Sequence, residues 1–359
     1  MMTNSIIIFL ADVLLQRYVK LKYLYLIIFS LILNGMKKIA LITSGGDAPG
    51  MNACVRAIVK TAINYDIIPF GIFDGYQGMI EKRGMELTYQ DVDNIIYQGG
   101  TILGTARSEE FTTIEGRKKA IAYLKEQGVD GLIVIGGDGS FMGANILGQE
   151  MEIPIIGIPG TIDNDIFGTD HTIGYDTALN TVVDAVDKIR DTASSHHRVF
   201  FVEVMGRNAG FIALNSAIAS GAESVLIPEE VTDINKLVNQ IKTQNKGRRS
   251  TIIIVAEGDD LGGAKGITEK VTPLLPNYNV RYSILGYLQR GGRPSAFDRI
   301  IATRMGTYAV ELLMDGKTDL MVGIFGDNLA TCSIHKSIKE HAVPALSKLD
   351  LIAKLRTQK

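Results

Sequence analysis

Several classes of protein are set aside by what the sequence holds little of. Two cysteines, Cys54 and Cys332, occur in 359 residues. They offer no disulfide framework and no metal spacing, and a reducing cytoplasm fits them. Neither sign of charge dominates, the formal net charge being −2, so nothing argues for a nucleic-acid partner or an acidic membrane surface. Prolines number nine against 38 glycines, a balance that points to tight strand–helix turns rather than disorder. No G-x-x-x-x-G-K-[ST] loop occurs, and Gly137-x-Gly139 lacks the third glycine of the dinucleotide fingerprint.

A composition of 46% apolar and 21% charged residues suits a globular protein of two domains. Residues 1–35 do not match the rest. Apolar runs at 6–10 and 24–33 are separated by Asp12, Arg17, Lys20 and Lys22, and neither nears the roughly 20 residues of a membrane-crossing helix. A secretory signal would carry its charges ahead of a single apolar block. The expectation is that Met36-Lys37-Lys38 is the natural start, and that 1–35 is an extension without a part in the fold. A weak membrane anchor is the second reading.

From residue 38 onward strands and helices alternate. Strands are expected at 38–43, 67–73, 132–135, 154–158, 199–204, 224–227, 250–256, 281–288 and 320–325, the last closing the series. Helices are expected at 53–64, 115–127, 140–147 and 296–313, and at 232–243 behind a Thr232 or Asp233 cap. Another spans 177–193, where Leu179, Val182, Val183, Val186 and Ile189 form one apolar face. The alternation predicts an α/β protein of two doubly wound, Rossmann-like domains with mainly parallel sheets. Such sheets bind ligands beyond their strands' carboxyl ends, which puts the active site in the cleft between the domains.

The strand at 154–158 runs into Pro159-Gly160-Thr161-Ile162-Asp163-Asn164-Asp165, crowding two carboxylates into one turn. Asp and Asn favour turns on their own account, so an Asp-rich loop is the plain alternative. The strand at 132–135 runs into Gly136-Gly137-Asp138-Gly139-Ser140. Glycines there let backbone approach polyanionic oxygens, the carboxylate can meet a cation, and the next helix aims its first N–H groups at the anion. The pair of loops points to phosphoryl transfer with magnesium on a carboxylate. Further glycine-rich turns occupy 44–50, 99–107 and 205–210, the last two carrying Arg107 and Arg207. A lone Arg is usually a solvated charge, but a loop-held one can stabilise negative charge on a transferred phosphoryl group. His196-His197 reads as a polar loop rather than a metal site, since no carboxylate or thiol stands at ligand spacing. Lys246-Gly247-Arg248-Arg249 is too short for a nucleic-acid patch and reads as a solvated turn, or as a site for a small anionic effector.

With these loops and Gln289-Arg290-Gly291-Gly292 in view, the sequence from 36 to about 346 closely resembles the bacterial ATP-dependent 6-phosphofructokinase family. The resemblance implies transfer of the γ-phosphoryl of Mg-ATP to the 1-hydroxyl of fructose 6-phosphate, the committed step of glycolysis. It implies Asp163 as general base, with Thr161, Ile162 and Asp165 beside it, and Asp138 as the magnesium ligand. Gly46, Tyr76, Arg107, Ser108, Gly137, Asp138, Gly139 and Ser140 match the ATP site. Met205, Gly206, Arg207 and Glu257 match sugar contacts, as do Tyr287, Leu288, Gln289 and Arg290. Arg198 and Arg281 match positions reaching the 6-phosphate from a neighbouring subunit, which implies a homotetramer with shared sites. The implied division is an ATP-binding domain of 36–174 with 289–340, and a sugar-binding domain of 175–288 with 341–359. An effector site for ADP or phosphoenolpyruvate is implied at Arg56, Lys60, Arg190, Gly221, Ala222, Glu223, Lys246, Arg248, Arg249 and Ser250. Arginines at 248 and 249 replace the usual lysines, and Tyr89 stands where some members carry a basic residue.

One departure falls on the sugar site. Tyr287 stands where the family carries a histidine before Gln289-Arg290-Gly291-Gly292; a phenol brings one donor and no positive charge, so weaker sugar binding with intact chemistry is expected. Donor choice rests on Gly139 and Gly160, positions where pyrophosphate-using relatives carry Asp and Lys. Two glycines favour ATP, because a carboxylate at 139 would repel the α-phosphate. A pyrophosphate-dependent enzyme and a non-catalytic regulatory paralogue are the rival readings; NAD and lipid kinases share the Gly-Gly-Asp-Gly loop but not 159–165.

Overall fold

The computed structural model describes residues 35–244 and 250–356. Nearly all of the expected amino-terminal extension thus lies outside the described residues, together with Lys246, Arg248 and Arg249 of the expected effector site.

Strand β1 (Lys38–Thr43), helix α1 (Met51–Asn64), strand β2 (Ile68–Ile72), helix α2 (Gly75–Ile80) and the short β3 (Gly84–Glu86) open the chain. Helix α3 (Ile114–Glu126), β4 (Gly131–Gly136), α4 (Asp138–Glu150) and β5 (Ile155–Pro159) follow. The long helix α5 (Tyr175–Ser195) crosses to a second sheet, made of β6 (Arg198–Val204), β7 (Ser224–Leu226), β8 (Thr251–Ala256) and β9 (Asn279–Ile284). Between those strands lie α6 (Phe211–Ala219), α7 (Ile234–Gln244) and α8 (Gly263–Val271). Helix α9 (Ala296–Met314) then returns to the first sheet, which β10 (Leu320–Phe325) and β11 (Asn328–Ser333) complete before α10 (Ile334–Lys339) and α11 (Ser347–Arg356).

The larger sheet has the order β11-β10-β5-β4-β1-β2-β3 and the smaller β7-β8-β6-β9. All pairings in the smaller sheet are parallel; in the larger only the edge pairs β2–β3 and β10–β11 are antiparallel. Helices cover both faces, so an interior strand must be apolar at every position. In β1, Ile39 and Leu41 pack into one core while Ala40 and Ile42 pack into another, all fully buried. One core runs from Ile133 and Ile135 of β4, past Val182 and Val186 of α5, to Val202 and Val204 of β6. The two sheets therefore share a hydrophobic interior.

The structure departs from the sequence reading at three strands, one of them the short, largely exposed edge strand β3 at Gly84–Glu86, where no strand is expected. The series does not end at 325: the chain reverses at Gly326 (φ 56°) and Asp327, and β11 pairs back along β10 from Asn328. That edge strand is half-exposed and mixed in character, so no apolar run marks it. The strand expected over 281–288 stops at Ile284, because Gly286 takes φ 50° and a 3-10 turn forms over Gly286–Arg290. The helix cap left open between Thr232 and Asp233 falls to Asp233, whose carboxylate accepts from the N–H groups of Asn235 (2.8 Å) and Lys236 (3.1 Å).

One buried carboxylate joins the start of α9 to the start of the crossover helix. Asp298 accepts from Gly174 N (2.9 Å), from Thr177 N (2.8 Å) and from the Thr177 hydroxyl, satisfying N–H groups that α5 would otherwise leave unpaired. Asp298→Ala should lower the free energy of unfolding by about 2–4 kcal/mol, the worth of a helix cap plus bonds to a charged acceptor. Urea denaturation followed by circular dichroism checks it; an unchanged midpoint would contradict this account.

Candidate active site

Strand order in the larger sheet runs from β1 to β2 on one side and to β4 and β5 on the other, so the winding reverses between β1 and β4. Loops leaving carboxyl ends at such a point diverge and open a crevice. The loops after β1, β4 and β5 face the loop after β6 of the smaller sheet, enclosing a cavity of about 500 Å³. Gly46, Tyr76, Arg107, Ser108, Gly137, Asp138, Gly139, Ser140, Thr161, Ile162, Asp163, Met205, Arg207 and Arg290 all line it. Sequence positions from 46 to 290 are thereby brought together.

The most shielded charge in the cavity is Asp163, 5% exposed. Arg207, carried by the other sheet, sets its Nε 3.3 Å from Asp163 Oδ2 and its Nη1 3.7 Å from Asp138 Oδ1. Burial pushes the Asp163 carboxyl up to about 6, and the neighbouring Asp165 charge pushes the same way. The Arg207 guanidinium pulls it down, Glu257 raises it, and the Thr161 hydroxyl lowers it. Asp165 is raised too, by burial first and by Asp138 second.

Arg207 is held by its backbone. It sits at φ 52° with its N–H donating to Glu257 Oε1 at 2.8 Å, and Gly206 N reaches the same oxygen at 3.3 Å. Gln289, fully buried, accepts from Met205 N at 3.1 Å. Glu257, Gly206 and Gln289 thus stand behind the cavity wall and shape the turn that presents Arg207.

Asp138 opens α4. One of its oxygens accepts from Gly139 N at 2.7 Å, and its side chain stays 40% exposed. A hard, half-open carboxylate beside glycine backbone fits magnesium, which keeps several waters and takes the rest of its oxygens from phosphate. Among the described residues no cluster of three or more His, Cys, Asp and Glu forms a cage; a shared site of this kind needs none. A Cβ on Gly139 would meet nothing within 4 Å, whereas one on Gly46 would stand 2.5 Å from Arg290 Nη2. Arg290 is itself fastened to the β1 loop through Asp47 Oδ1 at 2.7 Å.

The far end of the cavity is apolar, and here the sequence reading missed residues. Phe111 stacks on Tyr76 with ring centroids 4.1 Å apart, and the Tyr76 hydroxyl donates to Ser140 O at 2.6 Å. Met142, Gly143 and Ile146 of α4 continue that wall. Met142 and Ile146 are spaced i, i+4, the pattern of a helix face, which in sequence looks like ordinary core. Ser108 donates to Gln77 Oε1 at 2.6 Å and accepts from Phe111 N at 3.1 Å, setting the loop that carries Phe111.

Other expected residues are not brought to this cavity. Arg198 begins β6 and Arg281 pairs opposite Phe200, so they lie toward the end of the smaller sheet away from Arg207, roughly 20 Å and roughly 13 Å before the carboxyl end of β6 at strand rise. Tyr287 and Leu288 are exposed at 78% and 70%, with the Arg290 guanidinium 5.7 Å from the Tyr287 ring centroid. Of the expected effector residues, Arg190, Gly221, Ala222, Glu223 and Ser250 gather on the smaller sheet. Arg190 donates to Gly221 O at 3.1 Å and pairs with Glu223 at 3.4 Å, and Ser250 meets Ser194 at 3.1 Å. Lys60, with Arg56 one turn before it on α1, is engaged elsewhere, on Asp93 at 2.9 Å and over the Tyr89 ring.

A glycine-rich anion cradle, a carboxylate open to a cation and a buried base beside an arginine are the parts of a phosphoryl-transfer site, here between two parallel sheets. The family model described as Phosphofructokinase matches residues 38–313, and the chain belongs to the phosphofructokinase family. It is 53% identical over 305 residues to the ATP-dependent 6-phosphofructokinase 2 of Bacteroides thetaiotaomicron, covering 85% of this chain and 94% of that one. Phosphofructokinase from Saccharomyces cerevisiae superposes with a TM-score of 0.80 at 37% identity; 89% of this chain matches, spanning 47%, about half, of the yeast chain. A pyrophosphate-dependent phosphofructokinase from Marinobacter aquaeolei also reaches 0.80, at 21% identity over 90% of this chain and 92% of that one, a likeness of fold alone. Among the described residues no helix is long and apolar enough to cross a membrane.

Asp163 should titrate near pH 6, and Arg207→Ala should move it higher by removing the one nearby cation. Carboxyl ¹³C shifts, assigned by difference from Asp163→Asn, read this directly. A midpoint in the ordinary Asp range near 4, unmoved by Arg207→Ala, would contradict it.

Proposed function

We propose that the chain is an ATP-dependent 6-phosphofructokinase, transferring the γ-phosphoryl of ATP to the 1-hydroxyl of fructose 6-phosphate to give fructose 1,6-bisphosphate and ADP. The observation that carries this reading is the buried Asp163 carboxylate 3.3 Å from Arg207 inside a glycine-lined cavity. The names of its relatives at about half identity support the same reaction.

Asp163 takes the proton from the sugar hydroxyl as the phosphoryl group is transferred. A base near 6 is ionised at neutral pH yet basic enough to draw that proton, so the rate should fall as pH drops through about 6. Asp138 holds magnesium, which when bound supplies positive charge to the phosphoryl oxygens. Arg107 and the 137–140 backbone receive the phosphates, while Tyr76, Phe111, Met142 and Ile146 give the nucleotide an apolar wall. Arg207 and Met205 orient the sugar, with Thr161, Ile162 and Arg290 beside it, and Glu257 acts from behind by holding the turn that carries Arg207. Domains of 36–174 with 289–340 and of 175–288 with 341–359 follow the two sheets and divide nucleotide from sugar.

Donor choice favours ATP. The open space at Gly139 would take any larger side chain into the cavity, whereas a Cβ on Gly160 already meets Ile135 and Met51 at 3.0 Å. Arg198 and Arg281 serve a neighbouring copy's 6-phosphate; their distance from the chain's own cavity supports shared sites and a homotetramer. The Arg190–Glu223 cluster, with Arg56 and Lys60 from another subunit, receives ADP or phosphoenolpyruvate. Free Cys54 and the glycolytic reaction agree with a cytoplasmic enzyme.

In a coupled assay with fructose 6-phosphate, ATP should support turnover and pyrophosphate should not. Asp163→Asn should cut kcat at least about a hundredfold with both KM values little changed. Turnover on pyrophosphate alone, or a near-normal Asp163→Asn enzyme, would overturn the reading. Tyr287→His should lower the KM for fructose 6-phosphate about fivefold at unchanged kcat, roughly 1 kcal/mol for a restored cationic donor; an unchanged KM would show that the phenol costs nothing.

A further inference from the structure

Between the two carboxylates of the β5 turn stands an amide that the reaction itself leaves without a role. Asp163 and Asp165 line the cavity, and Asn164 does not. Asn164 is 5% exposed and sits at φ 56°, a left-handed conformation that asparagine tolerates better than most residues. The reversal sends its side chain to the opposite side of the turn from its two neighbours.

That side chain is bonded through both its nitrogen and its oxygen to the segment that follows. Asn164 Nδ2 donates to Asp170 O at 3.0 Å, and Asn164 Oδ1 accepts from Thr172 N at 2.8 Å. Thr172, itself fully buried, donates its hydroxyl to Thr161 O at 2.6 Å. The turn carrying Asp163 is thus tied at Thr161 and at Asn164 to one rear loop, 170–174. That loop is anchored in turn: Ile173 N donates to Pro159 O at 2.9 Å, Asp170 N to Ile324 O at 2.8 Å, and Gly174 N to Asp298 at 2.9 Å. Within the turn Asp163 donates its N–H to Thr161 Oγ1 at 3.2 Å, while its carboxylate meets Arg207 across the cavity at 3.3 Å. The backbone on either side therefore sets where that carboxylate stands when Arg207 meets it.

We infer that Asn164 is a positioning residue for the base: its amide, clamped between Asp170 O and Thr172 N, holds the turn so that the Asp163 carboxylate faces the cavity. The inference rests on the reading of Asp163 as general base. A displacement of the order of 1 Å at a reacting group costs about a hundredfold in rate, whereas the 137–140 loop, Arg107, Arg207 and Arg290, which stand on other segments, are left in place.

Two substitutions separate the amide's bonds from its backbone. Asn164→Gly tolerates φ above zero but loses both bonds. Asn164→Asp is nearly isosteric and keeps the acceptor for Thr172 N, but it faces Asp170 O with a second acceptor. Both should lower kcat about ten- to a hundredfold, with KM for fructose 6-phosphate and for ATP within about twofold of wild type. Thr172→Val should act in the same direction, and Thr172→Ser should restore kcat by keeping the hydroxyl. Melting temperatures and oligomeric state are recorded for each variant. A kcat at wild-type level in Asn164→Gly, whatever its melting temperature, overturns the inference, as does a loss confined to KM. Asp163→Asn run in parallel distinguishes the two claims. Should it retain activity, the base itself is wrong and the inference goes with it; should it collapse while the Asn164 variants stay normal, only the inference fails.

Discussion

A carboxyl held almost out of water with one guanidinium beside it is the constraint on which the structure turns. Burial raises the Asp163 carboxyl above the ordinary Asp range, and the charge of Asp165 pushes the same way. Arg207 is the opposing influence, and it belongs to the other sheet. The ionisation of Asp163 therefore depends in part on how the two sheets stand toward each other. A continuous interior through α5 and α6 makes that relation a property of the core rather than of surface contacts.

Each partner in this pair is aimed by groups that do not touch the cavity. Arg207 depends on Glu257 and Gln289, which pin the N–H groups of the turn after β6. Asp163 depends on Asn164 and Thr172, which fasten the turn after β5 to the loop behind it. An unsatisfied N–H or carbonyl inside such a turn would cost as much as a lost bond, so buried side chains that complete the turn's bonding also select its shape. Polar residues that look structural are in this sense the reason the reactive ones point where they do.

How much of this was legible beforehand follows from the range over which each feature is encoded. The strands β1, β4, β5 and β8 were readable because burial on both faces makes their interiors almost wholly apolar, and β6 because only Arg198 and Glu203 interrupt its apolar run. Their glycine-rich ends were readable because phosphate handling asks for close backbone approach. Edge strand β11 was not, being half-exposed and mixed, and the 3-10 turn at Gly286–Arg290 was hidden inside an apolar-looking run. Phe111, Met142 and Ile146 carry no chemical signature, since an apolar wall for a ligand and an apolar wall for a core use the same residues. The placement of Arg198 and Arg281 away from the cavity is likewise invisible from residue type: it follows from which end of β6 each one neighbours.

A long-range feature concerns the same turn. Ala342 N donates to Asp165 O at 3.0 Å, and Ile166 forms an isolated antiparallel bridge with His341. The stretch after α10 therefore holds the exit of the turn, while the rear loop at 170–174 holds its entry and middle. α11, which follows that stretch, packs against α6 and β7 of the smaller sheet, with Lys348 Nζ donating to Asn215 Oδ1 at 2.6 Å. A turn at the end of β5 in the larger sheet is thus stitched to a segment that ends on the smaller one. Arg207 reaches Asp163 from the smaller sheet at the front, and the carboxyl-terminal stretch reaches the same turn from the side. Any shift of one sheet against the other must then strain the ion pair and the stitch together. Arg207 and the carboxyl-terminal stretch thus both tie the position of Asp163 to the way the two sheets meet.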